Sequence, residues 1–253
     1  MNTKKLKIVN TDLNFPEVCL KPPLSTGFII IAAEIDKKNS FFGESKTKKL
    51  LLKNLKILIK EFKNHTDIIE CDIFKATLFP PGRNGKYLKK INKKNIIHTK
   101  FDVVLLIETL TPKIINRIKK SNIFYKIENL FKNLSSFHYV YDAKNSKRID
   151  NVNHKKKGVF LFNFFVAKDV TINLDVWEYT AGWFQYHTKL DNSTLFESTK
   201  SSKKTYSVIN HCRWNSFINI LPYLIFKKTF KTYVLNNFEA NNVSAIPILY
   251  KLA

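Results

Sequence analysis

The sequence predicts an α+β protein in which two tandem βαββαβ units pair within one chain. Segments rich in β-branched and aromatic residues alternate with segments of helical apolar spacing, and the order β-α-β-β-α-β occurs twice. A polar segment, Lys144–Lys157, separates the two occurrences. The strands are apolar at both odd and even positions, as in Val159–Ala167, so both faces of each sheet need to be covered. Packing the free sheet face of one unit against that of the other meets this need.

The first unit combines four strands with two helices. In Lys46–Phe62, large aliphatic residues recur three or four positions apart and form one face, with lysine on the other. Thr111-Pro112 is typical of an N-cap followed by proline in the first turn, and predicts a helix to about Asn133. Pro80-Pro81-Gly82 ends one strand, and residues 82–85 form a turn or loop. The strands are predicted at Leu24–Ile35, Ile73–Phe79, Phe101–Thr109 and Phe137–Asp142.

The second unit repeats this order with more aromatic strands. Asn173–His187 has helical apolar spacing. Asn215 or Ser216 caps a second helical region, which runs to about Asn237 and is bent or broken at Pro222. The strands are predicted at Val159–Ala167, Tyr206–Trp214 and Val243–Leu252, with an irregular strand or loop at Leu190–Phe196. The domain boundaries are therefore 1–145 for the first unit with an N-terminal extension, 146–157 for a linker and 158–253 for the second unit.

Composition indicates an ordered protein without a membrane partner. With 253 residues, 44% of them hydrophobic and 13% aromatic, the chain is long and apolar enough for a substantial core. Its longest apolar runs are far shorter than the roughly 18–20 residues of a membrane span. The three cysteines, Cys19, Cys71 and Cys212, are widely spaced and form no C-x-x-C, which favours reduced thiols. We therefore expect a cytoplasmic protein.

The net charge of +23 suggests nucleic-acid binding, but the residue types argue against it. Only four of the 43 basic residues are arginine, the side chain that reads bases and phosphates with a bidentate fork. The lysines are scattered over predicted helix faces and loops and form no stripe. The third-strand signature of RNA-recognition modules is also missing from both units. We therefore do not expect a nucleic-acid partner.

The chain resembles the dimeric α/β-barrel superfamily, which includes antibiotic-biosynthesis monooxygenases and stress-responsive barrel proteins. Gly158–Asn163 and Thr180–Phe184 look like the strand and helix that open such proteins, and the resemblance covers most of residues 24–253. Superfamily members are ferredoxin-like units paired sheet to sheet. The resemblance therefore implies that two tandem ferredoxin-like units form a pseudo-dimer within this chain, as a monomer or weak homodimer. Members include cofactor-free oxygenases, haem-binding and haem-degrading enzymes, isomerases and proteins without known activity.

The densest polar cluster lies at the end of a predicted strand, Asn210–Trp214. Strand alternation places Asn210, Cys212 and Trp214 on one face, with His211 and Arg213 on the other. A polar residue within an apolar strand needs partners, and Asn163 has the same unusual position in its phenylalanine-rich strand. One interpretation is internal hydrogen bonding. The other is a catalytic pocket with aromatic walls, in which His211 accepts a proton and Asn163 or Asn210 holds an oxyanion.

Four further residues are candidates for substrate binding. Trp183 and His187 lie one helical turn apart, on a helix face beside the core face, and would border a pocket there. Arg213 and Trp214 follow the catalytic candidate His211 in the same strand. His187 and Asp191 have the spacing of a metal-ligand pair if the helix continues, but no third ligand accompanies them, so we expect no metal. The remaining histidines, at 65, 98, 138 and 154, are expected to be solvated.

Function remains open between three classes. The first is a small-molecule pocket protein, an oxygenase-like enzyme that uses no cofactor and acts on an apolar or aromatic substrate. The second is a non-catalytic structural or partner-binding protein. The third is a haem-binding protein with His187 or His211 as the axial ligand. Any site is expected within residues 158–253, where polar residues other than lysine interrupt apolar elements.

Overall fold

The computed structural model describes residues 5–36, 43–80, 85–92, 97–199 and 205–253, which form a closed antiparallel barrel with helices outside it. The strands are β1 Gly27–Glu34, β2 Ile68–Leu78, β3 Val103–Thr109, β4 Phe137–Arg148, β5 Val159–Ala167, β6 Thr194–Ser198, β7 Val208–Trp214 and β8 Val243–Leu252. The α-helices are α1 Lys46–Phe62, α2 Lys86–Asn92, α3 Ile115–Lys119, α4 Asn122–Leu134, α5 Val170–Thr188, α6 Leu221–Phe226 and α7 Asn236–Ala240. The predicted turn at 82–85 lies, apart from Gly85, outside the described residues.

The strand order around the barrel is β1-β3-β2-β8-β5-β7-β6-β4, and β4 pairs with β1 to close it. Residues 27–148 supply one run of four adjacent strands, and residues 159–252 supply the other. The two runs join along two seams, where β2 pairs with β8 and β4 pairs with β6. The α+β class predicted from the sequence is confirmed, and the structure adds that the sheet closes on itself.

Both faces of the sheet are buried, as the apolar strands predicted. Alternate residues of β5, such as Phe160 and Phe162, point into the barrel, while Leu161 and Phe165 point out toward the helices. Aromatic rings from both halves fill the interior: Phe28, Phe74, Phe101, Tyr141, Phe160, Phe162, Phe164, Phe196, Tyr206 and Tyr250. The helices α1 and α4 cover the outside of the first half, and α5 with the segments after β7 covers the second.

Two strands are longer than the sequence predicted. β2 begins at Ile68 instead of Ile73, because a stretch with two carboxylates, Glu70 and Asp72, is paired with β3. β4 continues six residues beyond Asp142 to Arg148, and its last part forms the seam with β6. The first residues of the predicted linker are therefore part of the barrel wall. Leu190–Phe196, which the sequence left open between strand and loop, contains the start of the regular strand β6.

The helical segments are more interrupted than predicted. The helix expected to run from Thr111-Pro112 to about Asn133 consists of a 3-10 turn at Pro112–Ile114, then α3 and α4. Ser121 accepts a hydrogen bond from the backbone N–H of Phe124 and so starts α4 separately. After β7, a 3-10 turn at Phe217–Asn219 precedes α6, and a π-helix, Phe230–Leu235, precedes α7. Pro222 lies in the first turn of α6, so it begins a helix and does not break one.

The N-terminal segment crosses to the second half of the chain. Apolar residues between Leu6 and Leu20 pack on the helices there, and backbone N–H groups of Lys7 and Val9 donate to Asn241 and Asn237. Within the described residues, no helix is long and apolar enough to cross a membrane.

Candidate functional site

The three residues predicted to form one catalytic pocket lie on opposite faces of the sheet. Asn163 and Asn210 are directly opposed in the β5–β7 register and face outward, toward the helices. His211 faces into the barrel, where its ring stacks on Phe162 with centroids 4.1 Å apart. The alternation along β7 was predicted correctly, but the grouping of His211 with the two asparagines was wrong. Successive side chains of a strand point to opposite faces of the sheet, so Asn210 and His211 cannot line the same pocket.

The outward asparagines line a small apolar cavity between the sheet and the helical layer. The cavity has a volume of about 70 Å³. Its walls are mainly aromatic and aliphatic, and include Trp177, Phe184, Trp214 and Phe230. None of its described lining residues is a histidine or a carboxylate, and burial raises the pKa of the lining thiol Cys212 well above its usual range. The cavity can bind and orient a ligand but offers no group that titrates near neutral pH.

The two asparagines differ in their hydrogen bonding. The Oδ1 atom of Asn210 accepts a 2.6 Å hydrogen bond from the Ser193 hydroxyl, which fixes its side chain. The Oδ1 atom of Asn163 is buried and has no hydrogen-bond partner among the described residues. Pro247 lies opposite Asn163 on the neighbouring strand β8. An unpaired buried amide oxygen costs free energy, so a ligand that donates to it would be favoured.

The predicted substrate-binding residues are dispersed. Trp214 lines the apolar cavity and donates from Nε1 to the Thr188 hydroxyl at 3.0 Å. Trp183 is buried and donates to the Thr229 hydroxyl, outside that cavity. Arg213 donates to the backbone oxygen of Lys157 at 2.8 Å and so holds the segment before β5. The hydrogen bonds of Trp183 and Arg213 point to structural roles.

His187 lies at the edge of the second half, away from both asparagines. Its ring contacts Phe15 and Trp183 at centroid distances of 5.4 and 4.8 Å. Its Nε2 atom is buried, and no residue in the described part of the chain hydrogen-bonds to it. Burial and the charges of Lys227 and Lys189 lower its pKa. α5 ends at Thr188, so Asp191 does not lie one helical turn from His187 and the two do not form a ligand pair on one helix.

A second polar group, unforeseen as a site, closes one end of the barrel interior. The prediction that His154 is solvated was wrong, because its side chain is only 8% exposed. Its Nδ1 atom lies 2.8 Å from Oε2 of Glu70 and 3.2 Å from Oδ2 of Asp72. Its Nε2 atom lies 2.9 Å from Nε2 of His211, whose Nδ1 is 2.9 Å from the backbone oxygen of Leu161. These contacts form a continuous chain from the carboxylates to the wall of the barrel.

The hydrogen positions in this series of hydrogen bonds follow from the group at its end, the backbone oxygen of Leu161. A carbonyl oxygen can only accept, so His211 carries a proton on Nδ1. Burial and the nearby charge of His154 hold the pKa of His211 well below its usual range, so its ring is neutral and its Nε2 accepts from His154. Burial lowers the pKa of His154, but hydrogen bonds to Asp72 and Glu70 more than offset this and raise it to about 9. His154 is therefore a buried cation between two carboxylates.

A polar cavity of about 190 Å³ lies beside these hydrogen-bonded residues inside the barrel. Glu70, Glu108, His154 and His211 line it, together with apolar residues such as Phe28. Glu108 accepts a 2.7 Å hydrogen bond from the Thr26 hydroxyl, and burial raises its pKa. The sequence predicted that any site would lie within residues 158–253. Most residues that line the outer cavity belong to that range, whereas the carboxylates of the inner polar cavity, Glu70 and Glu108, come from the first half.

Comparisons with known proteins agree on the fold. No protein-family model and no curated protein sequence matches the chain. The solved structure of an anthrone oxidase-like protein matches with a TM-score of 0.61 at 8% identity, over 92% of this chain and 94% of that one. A proposed monooxygenase from Fusobacterium nucleatum subsp. nucleatum matches with a TM-score of 0.55 at 6% identity, over 90% and 92%. The resemblance to dimeric α/β-barrel proteins is thereby confirmed at the level of the fold.

A dye-decolorizing peroxidase from Bacteroides thetaiotaomicron is more distant, with a TM-score of 0.49 and 12% identity over 94% and 96% of the two chains. A similarity of that size says nothing about the ligand of this chain. The expectation that the protein works without a cofactor stays a prediction.

Proposed function

We propose that the chain is an oxygenase-like enzyme that binds a small, mainly apolar or aromatic molecule in the outer cavity and needs no bound cofactor. The observation that carries the proposal is the Oδ1 atom of Asn163, buried without a partner at an apolar cavity. Apolar walls with a few placed polar groups are the usual composition of a small-molecule site. The fold shared with an anthrone oxidase-like protein and a proposed monooxygenase supports the same class of reaction.

The two asparagines would have separate roles. Asn210 is fixed by Ser193, so its amide group has a defined direction along the cavity wall. Asn163 offers the unsatisfied atom, which would accept a hydrogen bond from a hydroxyl group of the ligand. Because His211 faces the other side of the sheet, it does not act as the base that the sequence suggested. The acidic C–H proton of the substrate would pass to solvent water, because the described lining of the cavity holds no base. Molecular oxygen would then take up electrons from the carbanion and form a C–O bond at that carbon, and for an anthrone the products would be the anthraquinone and water.

The experiment uses 2-hydroxyanthrone as the probe, because anthrone itself is a ketone with no hydroxyl group to donate to Asn163. Binding is followed by quenching of tryptophan fluorescence and turnover by oxygen consumption. The probe is larger than the 70 Å³ cavity, so side chains of the apolar wall would have to move to admit it. Trp177 and Trp214 line the cavity, so an aromatic ligand bound there should quench their emission. Replacing Asn163 with leucine removes one hydrogen bond, worth about 0.5–1.5 kcal/mol, and should weaken binding by about 2- to 10-fold.

Two variants serve as controls for this binding experiment. His211→Gln changes the opposite face of the sheet and should leave binding of the same probe unchanged. Asn64→Leu changes an exposed asparagine after α1 and should also have no effect. Saturable quenching without oxygen consumption would indicate a non-catalytic binding protein, and unchanged binding by Asn163→Leu would refute the proposed site.

Haem binding is a second candidate, favoured by one observation. The buried Nε2 atom of His187 has no partner, which is what an axial ligand requires, whereas both ring nitrogens of His211 are already engaged. His187 does not line the 70 Å³ cavity, so Phe15 and the neighbouring helices would have to move to admit a porphyrin. Haemin titration should give a ligand-type absorbance shift that His187→Ala abolishes and His65→Ala retains. No shift, or one that survives His187→Ala, would end this candidate.

We further propose that the two halves are tandem ferredoxin-like units that form a pseudo-dimer within the chain. Supporting this, residues 27–148 contribute the strands in the order β4-β1-β3-β2, and residues 159–252 repeat it as β8-β5-β7-β6. Since each half then supplies the sheet partner of the other, the protein should be a monomer or a weak dimer in solution.

A further inference from the structure

The end of the barrel interior contains a set of ligand atoms that the proposed oxygenase site does not use. We propose that Glu70, Asp72 and His154 bind a first-row divalent metal ion, such as Mn²⁺, Fe²⁺ or Zn²⁺. One atom from each residue, Oε2, Oδ2 and Nδ1, lies within 4.8 Å of the other two. This site is on the opposite side of the sheet from the outer cavity, so the metal proposal does not depend on the proposed oxygenase function.

The spacing of the three atoms suits a metal ion. Nδ1 of His154 lies 2.8 Å from the Glu70 oxygen and 3.2 Å from the Asp72 oxygen. Ligands bound at about 2.0–2.2 Å with near-octahedral or tetrahedral angles lie about 2.8–3.6 Å apart. A small outward movement of the carboxylates would therefore admit an ion between atoms that already converge.

The hydrogen bonds to His211 fix which nitrogen of His154 is available to a metal ion. The Leu161 backbone oxygen requires a proton on Nδ1 of His211, so Nε2 of His211 accepts and Nε2 of His154 donates. The remaining nitrogen of His154, Nδ1, points between two carboxylates. A lone pair there would be repelled by both, so the position requires either a proton or a metal ion. Binding of the ion would displace the Nδ1 proton, which would leave to solvent.

The surroundings match the second shell of a metal site. A metal-bound histidine usually donates its other N–H to an acceptor that fixes the ring, and His211 is that acceptor. The two oxygens of Asp72 have different neighbours. Oδ1 accepts from Nζ of Lys63 at 3.1 Å, while the buried Oδ2 lies 3.2 Å from Nδ1 of His154. The adjoining 190 Å³ cavity leaves room for water or a small ligand at the open coordination positions.

The donor set decides the class of metal. Two carboxylate oxygens and one imidazole nitrogen suit borderline first-row divalent ions, whereas soft ions prefer thiolates. The nearest cysteine in sequence, Cys71, points to the other side of β2 among apolar residues. Monovalent copper is therefore not the expected occupant.

The test is calorimetric titration of the chelator-treated full chain with Zn²⁺, and electron paramagnetic resonance with Mn²⁺. We expect one ion per chain, and at least about a 10-fold loss of affinity in Asp72→Asn and in Glu70→Gln. Glu34→Gln is the matched control, since Glu34 forms a 2.9 Å pair with His98 and, within the described ranges, that histidine pairs with no second carboxylate. Its affinity should stay within about twofold of the parent protein.

A further variant keeps the test decisive if the carboxylate variants do not fold. Lys63 has a side chain 47% exposed, so Lys63→Met should fold, and loss of its competing charge beside Asp72 should tighten metal binding severalfold. Absence of binding by the parent protein would overturn the proposal. So would affinity that neither Asp72→Asn nor Lys63→Met changes, because the ion would then lie elsewhere.

Discussion

The Nε2 atoms of His154 and His211 lie 2.9 Å apart at one end of the barrel, although the two residues are 57 positions apart in the sequence. One is held as a cation by carboxylates and the other is held neutral by burial, so their pKa values are displaced in opposite directions. Such displaced pairs are frequent at functional sites. This pair therefore marks the barrel interior as a second region of chemical interest, separate from the outer cavity.

Protonated His154 should make the stability of the metal-free protein depend on pH above neutrality. Its pKa is raised from 6.5 to about 9 on folding, so the folded state binds the proton more tightly. The stabilisation is complete below about pH 6.5, decreases as the pH rises to about 9, and amounts to about 3 kcal/mol. Urea unfolding in the presence of a chelator at pH 6.5, 8 and 9.5 should show this loss. His154→Gln should flatten the profile over that range, and a slope that persists in the variant would assign it to another group.

The histidine pair could not be predicted because two separate sequence patterns concealed it. His154 is in a run of polar and lysine residues that reads as a solvated linker, and only tertiary structure carries its side chain into the barrel. Glu70 and Asp72 interrupt the start of β2, so the apolar signal of that strand begins at Ile73. The alternation of apolar and charged residues from Ile69 to Ile73 was the available clue, since it has the period of a strand.

The outer cavity was predicted in part. Polar residues within apolar strands correctly marked Asn163 and Asn210 as unusual, and the register brings them together. Sequence could not show that only one face of β7 adjoins the helices, because apolar residues occupy both faces. The burial of both sheet faces followed from the apolar residues on both sides of the strands, whereas the strand order and the closure of the barrel were shown only by the structure. The breaks after Lys119 and Phe226 depend on local packing.

The buried ion pair between Lys48 and Asp102 should be important for stability. Their side chains are 1% and 5% exposed, and Nζ lies 3.0 Å from the carboxylate. Lys48→Met would leave Asp102 as an uncompensated buried charge, at a cost of about 3–5 kcal/mol in unfolding free energy. Lys86→Met is the control, because Lys86 pairs with Glu239 at the surface and is 88% exposed. Denaturant unfolding should show a clear loss for Lys48→Met only, and equal stability of both variants would contradict this.

Gly182 should be required for the N-terminal segment to pack on α5. A Cβ atom at this position would lie 1.8 Å from the backbone oxygen of Pro16, so the segment would have to move. Gly182→Ala is therefore expected to destabilise the protein by about 1–3 kcal/mol despite the better helix propensity of alanine. In a chain that lacks residues 1–19 the substitution should be neutral or stabilising. Thermal unfolding of the four proteins tests this, and an equal loss in the truncated chain would exclude contact with Pro16 as the cause.

The two halves should remain together after the chain is cut between them. Lys155 and Lys156 are exposed, so a specific protease site introduced there would be accessible. The halves are joined by the β2–β8 and β4–β6 seams and by an interior cluster to which both contribute. These contacts do not depend on the peptide bond between the lysines. Size-exclusion chromatography after cleavage should therefore give one species of the parent mass, 29.6 kDa.

Each half expressed alone should behave differently from the cleaved complex. Residues 1–148 would expose the interior faces of β1 to β4, including Phe28, Phe74 and Tyr141, and residues 158–253 would expose Phe160 and Phe162. Exposed apolar surface of this extent favours aggregation or homodimerisation. Light scattering of the separate halves should detect such assemblies, and mixing the halves during refolding should restore a single species of the parent mass. If both halves were instead soluble monomers that did not recombine, the seams would not hold the barrel together and the pseudo-dimer would be wrong.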